Sequence, residues 1–116
     1  SATAAEEIRR AIQRHRDRKI PVAVSFGNVA ASGGYWVATS SDRIFAEPDT
    51  ITGSIGVFAV VPTFEQAAAR LGVSADGYRT TPLSGQPDFI GGFSPEMDTL
   101  FQTSISGTYT DFISLV

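Results

Sequence analysis

Ala30-Ala31-Ser32-Gly33-Gly34-Tyr35-Trp36 is the stretch on which the chain turns. A β-like run, Pro21-Val22-Ala23-Val24-Ser25-Phe26, enters it through Gly27-Asn28, and an apolar segment, residues 35–38, leaves it. Strand, glycine-rich corner and helix in that order can place one hydroxyl at a helix N-terminus, where unpaired N–H groups favour developing negative charge. Gly33 and Gly34 leave room for another backbone to approach closely. The residues alone allow two readings of Ser32. Either it is a nucleophile held at such a corner, or it only caps the helix while the glycines turn the chain.

Outward from the corner, the chain reads as alternating helix and strand. Upstream, Ala4, Ala5, Ile8, Ala11 and Ile12 recur at helical spacing over residues 4–17, with Arg9, Arg10, Arg14 and Arg16 mostly on the opposite side. Thr3 and Glu6 have the spacing of a capping box. The strand over residues 22–26 opens with a continuous apolar run, the pattern of a strand buried on both faces.

Downstream of the Ser32 helix, Ile44-Phe45-Ala46 is expected as a second strand and Glu47-Pro48-Asp49 as a turn. Residues 51–61 read as a loop followed by a third buried strand. A helix over residues 64–71, ended by Gly72, and a fourth strand over residues 73–80 come next. Residues 81–93 form a long glycine/proline loop. Ser94-Pro95-Glu96 then supplies cap, N1 proline and first-turn acid to a helix carrying Met97, Leu100, Phe101, Ile105, Tyr109, Phe112 and Ile113 at helical spacing. The order predicts an α/β layered domain with parallel crossovers and a mostly parallel sheet. Both ends read as cut, so residues 1–116 are expected to be a single truncated domain.

Composition narrows the function. The 116 residues are 42% hydrophobic and 18% charged, as in a core-forming globular chain. There is no cysteine, which removes disulfides, thiolate catalysis and zinc–thiolate sites. One histidine outside any acid–histidine cluster argues against a transition-metal site, and no cofactor is expected. The net charge of −3 combines a basic start, through residue 19, with an acidic remainder, which argues against nucleic acid as partner. The basic stretch from Arg9 to Lys19 reads as a solvated helix face. No apolar run approaches the ~18 residues of a membrane span, so this piece is expected to be soluble.

Ala30-Ala31-Ser32-Gly33-Gly34-Tyr35-Trp36, Thr52-Gly53-Ser54-Ile55-Gly56-Val57 and Thr81-Pro82-Leu83 fall in one order at compatible intervals. Together they closely resemble signal peptide peptidase A (protease IV), a family of Ser–Lys serine proteases on the Clp protease/crotonase fold. The resemblance covers nearly the whole chain. It implies Ser32 as the acylating nucleophile, the Gly33 N–H as one oxyanion donor, and Ser54 as the hydroxyl that orients the general-base lysine. It implies signal peptides or other apolar peptides as substrates, a homo-oligomer, and a membrane-associated protein with an extracytoplasmic active site.

Two departures from the family pattern matter. The Pro-Gly-Gly segment that precedes the first helix in the family lies outside this sequence. The chain's one lysine, Lys19, sits before the first strand while Ser32 follows it, so five strand residues put it roughly 15–20 Å from the serine. Proton abstraction needs contact at ~3 Å, so Lys19 is not the base. Residues 80–86, where single-repeat members carry the lysine, have none. The pattern instead resembles the C-terminal, nucleophile-bearing repeat of the long duplicated members. The expected base therefore comes from a preceding repeat or a neighbouring protomer. His15, flanked by Arg14 and Arg16, reads as a solvated residue rather than a triad base. Two rival readings remain: a non-catalytic oligomerisation module, and a crotonase-type acyl-CoA hydratase or isomerase, which would work through carboxylates, although Glu47 and Asp49 read as turn residues.

Overall fold

A computed structural model describes residues 1–116. Its elements run α1 (Ala2–Asp17), β1 (Ala23–Ser25), β2 (Val29–Ala31), α2 (Gly33–Ala38), β3 (Arg43–Phe45), β4 (Ile51–Gly53), α3 (Glu65–Arg70) and α4 (Pro95–Leu115). The chain divides into two compact units: one of Ser1–Val57 with Thr108–Val116, the other of Phe58–Gly107. The mixture of helices and short parallel strand pairs is α/β, as the sequence order predicts.

In the first unit, α1 opens differently from its sequence reading. Ser1, not Thr3, is the N-cap, its side chain accepting the Ala4 N–H at 3.3 Å. Glu6 is thereby free of any capping box, and its carboxylate is used elsewhere. The helix closes with Lys19 in the left-handed region, φ 61°. There the Lys19 N–H donates to the Arg16 carbonyl and the Ile20 N–H to the His15 carbonyl, a Schellman closure that normally takes glycine. The packed stripe is also rotated. Ala5 is buried and Arg9 half-buried, while Ile8 faces out, so Arg9 does not belong to the solvated face.

Four three-residue strands form two separate parallel pairs. β1 pairs with β3 in the register Ala23↔Arg43, Val24↔Ile44, Ser25↔Phe45. β2 pairs with β4 in the register Val29↔Ile51, Ala30↔Thr52, Ala31↔Gly53. Parallel pairing holds, but three strand expectations do not. β1 is not buried on both faces, since Ala23 and Ser25 are exposed and only Val24 is half-buried. The third strand is Ile51–Gly53, within the stretch read as a loop, and residues 57–61 have no regular structure. Residues 73–80 likewise form no strand. Strand preference is realised only against a neighbour: β1 has β3 beside it but little lying over its faces, and residues 57–61 and 73–80 have no strand to pair with. Phe58 is 86% exposed.

The core of this unit is small and lies against α2. Ala5, Trp36 and Phe112 are its buried centre, with Tyr35, Val37, Ile55 and Leu115 packed around them. The Trp36 and Phe112 rings meet at 4.7 Å, tilted by 44°. A second aromatic contact, Phe26 with Tyr35 at 6.1 Å, ties the end of β1 to α2. At α1's other end, Asp42 accepts the Val22 N–H at 2.9 Å and Arg16 Nε at 3.0 Å, which fixes where β1 begins. These two donors, the Val22 amide first, hold the Asp42 carboxyl below its usual range.

The second unit follows its sequence signals at the helix ends. α3 stops at Gly72, φ 72°, with the Val73 N–H reaching back to the Ala68 carbonyl. Ser94 caps α4, its hydroxyl accepting the Met97 N–H at 3.2 Å, and Pro95 takes the first helical position. Phe93 contacts both Phe89 and Phe101, at 6.0 and 5.6 Å between ring centres. Asp88 organises the turn before them by accepting the Gly91 and Ile90 N–H groups, which lower its pKa.

Candidate active site

Ser32 and Ser54 meet because of strand register. Ala31 and Gly53 are partners at the ends of β2 and β4, and the ladder continues one step as the Ser32 N–H donates to the Gly53 carbonyl at 2.9 Å. The next residue of each strand is therefore a serine, at the same edge of one pair whose backbones run ~4.8 Å apart. Both serines are exposed. Both have φ 51°, the left-handed region in which a side chain is rarely placed.

The local sequence explains how the pair is held. Thr52 Oγ1 donates to the Ala30 carbonyl at 2.9 Å, and Thr50 Oγ1 to the Gly27 carbonyl at 3.1 Å. The Ile51 N–H donates to the Asn28 carbonyl. Thr52 within β4 and Thr50 just before it thus tie β2 and its approach to β4, a role that the sequence alone does not assign. Gly53, φ 84°, supplies the bend that a side chain would resist, and the Gly56 N–H closes a tight turn onto the Ser54 carbonyl at 3.0 Å.

Ser32 does not cap α2. Its side chain makes no capping hydrogen bond, and its backbone, φ 51° and ψ −115°, lies far from the extended conformation of an ordinary cap. Its carbonyl accepts the Trp36 N–H, starting the helix, while the hydroxyl is left free at the corner. Gly33 is the first helical residue, and first-turn N–H groups have no partner within a helix. A Cβ at Gly33 would sit 3.6 Å from the Ala5 side chain, so α1 lies directly behind the corner.

Behind α2 lies a charged network that joins Glu6, expected in a capping box, and Arg9 and Arg10, expected on a solvated face, to Trp36 and Ser40. Glu6 Oε2 accepts Arg9 Nε at 2.7 Å and Trp36 Nε1 at 2.8 Å. Glu6 Oε1 accepts Arg9 Nη2 at 2.9 Å and Arg10 Nε at 2.7 Å. Arg9 Nη1 reaches the buried hydroxyl of Ser40 at 2.6 Å, just beyond α2. The paired Arg9 guanidinium, more than the indole or Arg10, holds the Glu6 carboxyl well below the usual carboxylate range, and Glu6 in turn raises Arg9.

The other candidates lie apart from the corner. Lys19 lines a polar depression with Gln13, Arg16, Asp17 and Asp42 that contains neither serine. His15 Nδ1 is 2.9 Å from the Ala11 carbonyl of its own helix. Glu47 and Asp49 sit in the turn between β3 and β4, the Glu47 carbonyl accepting the Thr50 N–H. No helix of the chain is long and apolar enough to cross a membrane.

Comparison with known proteins shows the family. Residues 14–116 match the model of peptidase family S49. Protease 4 of Salmonella typhi is 43% identical over 116 residues, all of this chain and 19% of that protein. Protease 4 of Haemophilus influenzae gives the same identity and coverage. The chloroplastic serine protease SPPA of Arabidopsis thaliana is 33% identical over 96 residues, 79% of this chain and 14% of its own length. The chain thus spans about a fifth of the length of the protease 4 relatives. With nearly the whole chain inside the family match, it belongs to peptidase family S49, the family of protease IV and signal peptide peptidase A.

Proposed function

We propose that the chain is the nucleophile-bearing part of a serine peptidase, with Ser32 attacking the peptide carbonyl and a lysine from outside the chain acting as base. The observation that carries this is the state of Ser32: an exposed hydroxyl released from capping, on a backbone at φ 51°. Such a conformation persists only where the surroundings over-determine it, and it clusters at functional sites.

In the reaction, a neutral lysine amine takes the Ser32 proton while Oγ forms a bond to the peptide carbonyl carbon. Burial of that amine disfavours its ammonium form and brings its pKa toward neutrality. The oxyanion receives the Gly33 N–H and a second donor, each worth ~3 kcal/mol in the transition state. The intermediate collapses, the C–N bond breaks, and the leaving amine takes the proton back from the lysine. Water then attacks the acyl ester and gives one proton to the lysine amine; the C–Oγ bond breaks, Ser32 Oγ takes that proton back from the ammonium, and the acid is released. Ser54, one ladder step from Ser32, is suited to hold the lysine by accepting from its amine.

The same reading makes residues 1–116 a single peptidase domain of Clp protease/crotonase type, supported by the parallel pairs and the strand–corner–helix unit. Signal peptides or other apolar peptides are its substrates. Another repeat or a neighbouring protomer supplies the lysine, and the parent is a membrane-associated homo-oligomer with an extracytoplasmic site. The test is peptide hydrolysis by the complete protein, by its Ser32→Ala variant and by the isolated 116 residues. Activity is expected in the first alone. Hydrolysis that survives Ser32→Ala overturns the nucleophile. Hydrolysis by the isolated chain overturns the external base.

A further inference from the structure

A six-residue helix cannot hold its own direction, because helix stability at that length comes from packing. Yet the direction in which α2 leaves the corner sets where the Ser32 Cβ points. Three residues of α1 grip α2 along its length. Ala5 lies behind Gly33 at its start, Glu6 binds the Trp36 indole in its middle, and Arg9 binds Ser40 just past its end. Glu6 joins the second and third of these grips, since its two oxygens together accept Arg9 twice, Arg10 once and Trp36 once.

We propose that Glu6 is a positioning residue for the nucleophile, acting through the Trp36 indole to keep Ser32 in its left-handed conformation. Glu6 does not touch the reacting atoms. An unrestrained serine at φ 51° would relax toward an ordinary backbone conformation, swinging its hydroxyl away from the line of attack. The carboxylate stays ionised at any working pH because two arginines face it, so the grip is permanent rather than switched. Trp36 also packs on Phe112, which separates its two duties: ring contact for the core and N–H for the clamp.

This inference rests on the hydrolase reading of Ser32, and the experiment distinguishes the two. In the complete protein, a small alkyl fluorophosphonate is followed by intact mass as it modifies serine. The Oγ–P bond forms, the P–F bond breaks, fluoride leaves and the proton passes to the base. The unmodified sequence is expected to label once per site, and Ser32→Ala not at all. Trp36→Phe and Glu6→Ala are expected to label to the same end point with a rate constant about tenfold or more lower, the scale of a small misplacement of a reacting group. Peptide hydrolysis by both should lose kcat with KM unchanged. Glu6→Gln keeps an oxygen for the indole and is expected to recover part of the rate, which also covers a Glu6→Ala chain that fails to fold. A purely structural role gives the opposite pattern, a lower labelled fraction and melting temperature with an unchanged rate constant, and overturns the proposal. Absence of Ser32 labelling in the unmodified sequence overturns the hydrolase reading, and this inference with it.

Discussion

The two parallel strand pairs are built alike and end differently. Each has three residues per strand, and each ladder runs one step beyond its first strand: the Phe26 N–H donates to Phe45, the Ser32 N–H to Gly53. At that equivalent step the first pair turns a phenylalanine into the core, while the second turns a serine out to solvent in the left-handed region. The first pair is finished by hydrophobic burial. The second carries backbone strain twice, at Ser32 and at Ser54, with no packing gain from either side chain. Strain without burial is what the proposed function draws on at the second pair.

The widest separation of the two pairs comes from truncating the equivalent residues. Ser32→Ala is expected to remove at least about four orders of magnitude of peptidase activity in the complete protein, with its melting temperature nearly unchanged. Phe26→Ala is expected to do the reverse, costing about 3 kcal/mol of stability by chemical denaturation while the chemistry of the folded fraction persists. Equal loss of stability in both would erase the contrast. Next in size is Ser54→Ala, expected to lower kcat about a hundredfold through a misoriented base, with Ser32 still reactive. A kinetically silent Ser54→Ala makes Ser54 a turn residue.

Acid separates the supports of the two pairs. Asp42 anchors the entrance of β1 at the surface, and Glu6 backs α2 behind the β2 corner from a half-buried position. Both carboxyls have folded-state pKa values below their unfolded ones, so each stabilises above the unfolded pKa and loses that contribution as pH falls. Below about pH 4.3 the unfolded glutamate takes up its proton, and the melting temperature should begin to drop. Glu6→Gln is expected to flatten that drop by about 1–2 kcal/mol, and Asp42→Asn to flatten it less. The pH dependence of thermal unfolding for the two variants measures this.

The smallest effects are in the backbone itself. Gly53→Ala meets no neighbour within 4 Å, so its cost of about 1 kcal/mol is the left-handed φ alone. Gly27, beyond β1, is equally open and has no such φ. Gly27→Ala is therefore expected to be neutral or stabilising by about 0.5 kcal/mol. Ser32→Gly should also stabilise, by about 1 kcal/mol, while abolishing activity. Calorimetry on the three variants gives the signs.

Local signals in the sequence match the structure where the physics is local. Gly72 and Ser94-Pro95 set helix ends by their own backbone chemistry, and both act as their residue types require. The glycine corner and the helix after Ser32 were legible from contiguous residues, but the strand leading into them is Val29–Ala31, not the expected run over residues 22–26. What depends on partners was not legible. Residues 57–61 and 73–80 have strand composition but no neighbour, whereas Val29–Ala31 and Ile51–Gly53 became strands because Thr50 and Thr52 bind them together. Arg9 looked like a solvated residue by helical spacing, since nothing in α1 announces a buried Ser40 31 positions away. The capping pattern at Thr3 and Glu6 failed because Ser1 offers a cap two residues earlier, and Glu6 has a stronger use. That Ser32 and Ser54 share an edge was visible only as two motifs, and register made them neighbours.

Two exposed serines that share a φ of 51° invite a direct choice between them. Peptide mapping of the complete protein after fluorophosphonate inactivation makes it. The adduct is expected on the peptide holding Ser32, with Ser54 unmodified and activity lost in step with labelling. An adduct on Ser54, or full inactivation with Ser32 unmodified, contradicts the assignment of the β2 corner as the reacting centre.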